Sequence, residues 1–129
     1  MTVPGPAIPE RWRRRAPLAL AGLFAVSGVL HFVRPDLYAA IVPRALPEPM
    51  TLVHLSGLAE LVCAAGLLVR AGWAGPASAL LLLAIWPANL QHALDTTADP
   101  TASGNALAVA WLRLPLQVPL IWAALQARR

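Results

Sequence analysis

The sequence predicts an all-α membrane protein, a bundle of four transmembrane helices joined by short connections. Three observations carry that prediction. Hydrophobic residues make up 58% of the chain and charged residues only 12%, where a soluble domain needs about a quarter charged to clothe its surface. The apolar residues gather into four runs, each near the ~20 residues a helix needs to cross the hydrocarbon of a bilayer. None of the four runs has the polar face with which a soluble bundle covers its core.

Residues 1–15 are rich in proline and arginine and show no periodicity, so they read as a flexible cytoplasmic tail ahead of a membrane domain over 16–129. The first span is expected over 16–33. It follows Arg13, Arg14 and Arg15, as the core of a signal peptide would, but it is longer than the ~7–15 residues of such a core and no small-residue cleavage site ends it. A retained helix is therefore expected. The second, third and fourth spans fall at about 50–69, 73–94 and 106–126.

The connections differ in kind. Between the first two spans Pro35, Pro43, Pro47 and Pro49 forbid a continuous helix. The stretch from Asp36 to Val42 has room for a short interfacial helix, with Tyr38 at headgroup level. Arg70, Ala71 and Gly72 make a tight hairpin between the second and third spans. A polar loop with Asp95, Asp99, Pro100, Ser103 and Gly104 precedes the fourth.

Charge sets the expected orientation. The tail, the Arg70 turn and the terminal Arg128 and Arg129 share one side. The other side offsets Arg34 and Arg44 with Asp36 and Glu48 and adds Asp95 and Asp99. The positive-inside rule puts both termini in the cytoplasm. The net charge of +4 comes from arginine alone, with no lysine, a bias that points to a GC-rich genome. Because the arginines flank apolar helices, they read as orientation signals and no nucleic-acid partner is expected. The lone Cys63 excludes an internal disulfide and a paired-cysteine redox centre, and reads as a packed small hydrophobe.

Polar residues inside the spans need a reason, since a charge at the bilayer centre costs at least ~2.5 kcal/mol even on insertion scales. They are His31, His54, Glu60, Asn89, Gln91, His92, Arg113 and Gln117. Counting ~1.5 Å per residue along each helix, all fall in the outer half of the membrane. The opposite half (18–23, 64–69, 77–83, 120–125) reads as apolar. One polar network is expected near the outer surface. Gly57 and Glu60, Asn89 and His92, and Arg113 and Gln117 each share a helix face. Gly57 should let a neighbouring helix approach Glu60, and Arg113 is the expected partner of that carboxylate.

Pro87, Pro115 and Pro119 each free a backbone carbonyl that Asn89, Gln117 or Arg113 can reach, so the same groups also have a purely structural reading as the glue of a kinked bundle. No metal site is expected, because the histidines lack ligand spacing. Serine-nucleophile motifs and glycine-rich phosphate loops are absent from the sequence as well.

Several stretches do resemble a known family. SGVLHFVRPDLYAAIVP, SGLAELVCAAGLLV, WPANLQHALD and WLRLPLQVPLIW resemble the DoxX-like small four-helix membrane proteins of bacteria, across everything after the tail. The shared pattern is His31 followed by Pro35, Glu60 in the second span, Asn89 in the third, and Arg113, Pro115 and Gln117 in the fourth. The resemblance implies a multi-pass protein of the bacterial cytoplasmic membrane. It implies fold better than activity: members include subunits of thiosulfate- or quinone-linked redox complexes, partners of soluble redox enzymes and, among distant animal relatives, proteins that assist receptor assembly. Related bundles that run dithiol chemistry use cysteine pairs, which this chain lacks.

The leading functional expectation is an accessory subunit of a redox complex, or a homo-oligomer, that holds a quinone or lipid-like ligand in the polar network rather than a stand-alone enzyme. A non-enzymatic assembly factor that meets partner helices through Gly22, Gly28, Gly57 and Gly66 is the alternative. An oligomeric small-solute transporter ranks third.

Overall fold

The computed structural model describes residues 8–40, 42 and 44–127. Within them the chain forms five helices: α1 (Glu10–Val33), α2 (Pro35–Ala39), α3 (Pro49–Leu68), α4 (Ala74–Ala98) and α5 (Gly104–Leu125). The four long ones are long and apolar enough to cross a membrane. Their outer surfaces are correspondingly greasy, with Val69 75%, Val118 71% and Leu80 69% exposed. So much contiguous apolar surface has no place on a monomer in water.

The spans lie where the apolar runs put them, with two informative differences. α1 begins at Glu10, so residues 10–15 of the expected tail are helical. Arginine is a good helix former, and Pro9 stands at the cap, where its missing N–H costs nothing. The rest of the tail, 1–7, lies outside the described residues, as do Ile41, Pro43, Arg128 and Arg129. α4 runs on to Ala98, and within its last turns the Thr96 and Thr97 hydroxyls donate back to the carbonyls of His92 and Ala93, at 2.7 and 2.8 Å. The polar loop thereby shrinks to 99–103, and the Ser103 hydroxyl caps α5 by accepting the Ala106 N–H at 3.1 Å. The short helix expected over 36–42 is the single turn of α2.

The chain packs as two hairpins. α1 lies chiefly on α3, and α4 chiefly on α5, while α3–α4 and α1–α5 contacts close the ring. α1 and α4 face each other across one diagonal, α3 and α5 across the other, and these pairs barely touch. One end of the bundle carries the loops 34–48 and 99–103; the other carries the start of α1, the Arg70 turn and the end of α5.

Small residues set the approach of the helices. A Cβ on Gly28 would stand 2.8 Å from Leu61 Cγ and 3.0 Å from the Gly57 carbonyl, and one on Gly57 would stand 2.6 Å from His31 Cβ. Gly66 makes room for the Trp73 ring and Gly75 for the Ala124 carbonyl. These are close small-residue crossings of the kind that drive helix association where hydrophobic burial cannot. Towards the termini end the core is apolar, with Leu20, Phe24, Cys63, Leu67, Leu82 and Ala124 among its members. Pro17, Pro87, Pro115 and Pro119 all stay within continuous helices.

Candidate functional site

Among the described residues five polar side chains are buried: His31, Glu60, Ser78, Asn89 and Gln117. Four of them are among the residues singled out in the sequence. Ser78 is the one missed. It lies in a stretch that reads as apolar, and its small neighbours Ala74, Gly75 and Ala79 mark the α4 face that meets α5 closely.

The α1–α3 hairpin builds the most ordered cluster. The crossing at Gly28 and Gly57 brings the His31 backbone level with Gly57, eight residues and so ~12 Å below the start of α3. His31 is therefore deeper in the bundle than its place beside the end of α1 implies. The ring stacks on Tyr38 of α2, centroids 3.7 Å apart.

Its Nδ1–H donates to the Ser27 carbonyl at 2.6 Å. A carbonyl only accepts, so this bond places a proton on Nδ1. Glu60 Oε2 lies 3.5 Å from the same Nδ1, both side chains more than nine-tenths buried. With that N–H already engaged by Ser27, Oε2 has no hydrogen bond of its own.

Glu60 thus meets His31 and not Arg113. The physical reason is the ring order: Glu60 on α3 and Arg113 on α5 sit across a diagonal. Arg113 is half-buried on α5, near enough to His92 on α4 for their charges to interact, and has no ion pair among the described residues. His54, expected in the network, is exposed on the outside of α3, its ring parallel to Phe32 at 5.4 Å. Gln91 is engaged locally with Asp95 at 3.4 Å.

The α4–α5 hairpin holds Asn89 and Gln117. Among the described residues neither makes the expected bond to a carbonyl freed by proline. Instead Asn89 Oδ1 and Gln117 Oε1 are buried without any partner, as are Glu60 Oε2 and Ser78 Oγ. The hairpin is tied at its rim, where Trp111 Nε1–H donates to Thr97 Oγ1 at 2.8 Å.

Outside the spans, the loop end is stitched by charge. Arg34 bonds Asp36 at 3.2 and 3.3 Å and holds its carboxyl below the usual carboxylate range. Arg44 reaches Asp95 at 3.2 Å, joining the long connection to α4. Asp99 accepts the Thr101 O–H and N–H at 2.7 and 2.9 Å, which likewise holds its carboxyl low.

Chemically, the arrangement offers acceptors. A buried acceptor without a donor costs about 1–3 kcal/mol, and all four orphaned atoms can accept, Ser78 Oγ also carrying a proton to donate. Among the described residues no three His, Cys, Asp or Glu side chains converge as a metal would require.

Neither a curated protein nor a solved structure matches the chain. A family model described as a domain of unknown function, DUF8561, matches residues 20–128. That match runs from the middle of α1 through the other three long helices and includes His31, Glu60, Ser78, Asn89 and Gln117, and the chain belongs to the DUF8561 family.

Proposed function

We propose that the protein is a multi-pass subunit of the bacterial cytoplasmic membrane, termini inside, that binds a hydroxyl-bearing, lipid-soluble headgroup such as a quinol in the loop-end half of the bundle and serves a redox partner. The observation that carries this reading is the set of buried oxygens without donors: Glu60 Oε2, Asn89 Oδ1 and Gln117 Oε1. A quinol supplies O–H donors, and Glu60 beside His31 can accept one of the two protons released when the redox partner takes the quinol's two electrons. The DoxX-like pattern of His31, Glu60, Asn89 and Arg113 supports the same class of ligand, and the apolar helix surfaces support a lipid setting.

The alternative of an assembly factor reading partner helices through four glycines is weakened by their use within the chain. Gly28, Gly57 and Gly66 are filled by its own helices, and only Gly22 faces open space.

The test is Glu60→Gln, which keeps shape and removes the charge and the proton site. In native mass spectrometry of the protein extracted gently with its lipids, the wild type should carry quinol, and the variant should fold normally yet lose it at least roughly tenfold, the scale of one buried charge-assisted bond. Undiminished quinol in Glu60→Gln sinks the proposal.

A further inference from the structure

The termini end of the bundle holds a cavity of about 430 Å³ that the function above does not use. It lies between the start of α1, the end of α3 and the end of α5. Arg13, Arg14 and Arg70 line it against one acid, Glu10, and Pro17 and Leu67 form its apolar floor. Glu10 is engaged by Arg14 at 3.4 Å. Arg13 and Arg70 have no acidic partner among the described residues.

Arg70 is in an unusual place for an arginine. The end of α3 is a Schellman turn: the Ala71 N–H returns to the Gly66 carbonyl at 2.9 Å and the Arg70 N–H to the Leu67 carbonyl at 3.3 Å. The residue between must be left-handed, and Arg70 has φ 57°. Glycine is the usual occupant, since a side chain there strains the backbone. A strained arginine that helps line a cavity is a backbone outlier with something to do.

We propose that this basin is a binding site for a phosphate group, presented by an anionic phospholipid of the surrounding leaflet. Guanidinium groups match phosphate oxygens with paired N–H donors. Basic pockets at the end of a helix bundle suit lipid headgroups. The exposed Leu68 and Val69 continue from the basin along the apolar surface, where acyl chains would lie.

The experiment is native mass spectrometry of the full chain in detergent with phosphatidylglycerol or phosphatidylcholine, alongside thermal melts in which inorganic phosphate replaces lipid. The wild type should retain one phosphatidylglycerol and not phosphatidylcholine. Arg13→Ala and Arg70→Gly should each weaken retention by roughly fivefold, while Arg70→Gly, freed of backbone strain, melts no lower than wild type. Protection by inorganic phosphate alone, without preference for phosphatidylglycerol and lost in Arg13→Ala, would keep the anion site and assign it to a water-soluble phosphate. Equal retention of both lipids, or unchanged retention in both variants, overturns the proposal.

Discussion

The two hairpins handle buried polarity in opposite ways. In α1–α3, glycines bring the backbones together, and the polar groups are set against one another: Ser27 carbonyl on His31, His31 beside Glu60, Tyr38 over the ring. In α4–α5, Asn89 and Gln117 are equally buried but bond to nothing, and the order sits at the rim in the Trp111–Thr97 bond. The first hairpin spends tight packing on positioning an acid and a base. The second leaves the oxygens of Ser78, Asn89 and Gln117 unmet where the first leaves only Glu60 Oε2, and an unmet buried oxygen persists only where something else satisfies it or where stability is given up. The difference teaches that burial alone does not mark a polar group as structural; the state of its hydrogen bonds does.

The comparison breaks most readily at Gly57. Gly57→Ala puts a methyl 2.6 Å from His31 Cβ and 3.2 Å from the Gly28 carbonyl, so α1 and α3 must separate. Overpacking of this kind costs about 1–3 kcal/mol, and because the displaced group is His31 itself, quinol should be lost too. Thermal melts and native mass spectrometry on one preparation check both; an unchanged melt would mean the crossing is looser than described.

Asn89→Leu sharpens the contrast from the other side. Replacing an orphaned amide by a hydrocarbon of similar shape removes a desolvation penalty, so stability should rise by about 1 kcal/mol, with bound quinol falling. A drop in stability would show that Asn89 is satisfied in the membrane and that the hairpins are alike. The smallest effect belongs to the loop. The carboxyl of Asp99 is held low by Thr101, so its contribution is present above the ordinary carboxylate range and fades as pH falls through its lowered value. Melts of Asp99→Asn should lack that pH dependence, lying slightly below the wild type near neutrality and converging with it in acid.

The four long apolar helices and the tight Arg70 turn were legible because apolar run length reports helix length directly. The partner of Glu60 was not. Depth says which groups share a level, but neighbours around a ring depend on packing order, and α3 meets α1 and α4 rather than α5. His54 shares the depth of the cluster yet lies on the wrong side of its helix, a distinction only azimuth decides. Ser78 hides for the reverse reason: a lone small polar residue among alanines looks like any helix contact until its hydroxyl is found without a partner.

The main partner of each long helix is its neighbour in sequence, α3 for α1 and α5 for α4. Contacts of that kind are local, and local contacts form early because little chain must be closed to make them. Synthesis runs from one end, so His31 and Glu60 come together before the second half of the protein exists. A chain that has reached only the Arg70 turn already contains Ser27, His31, Tyr38 and Glu60. The later hairpin is then fitted against a finished half, and the orphaned amides are the last polar groups to be enclosed.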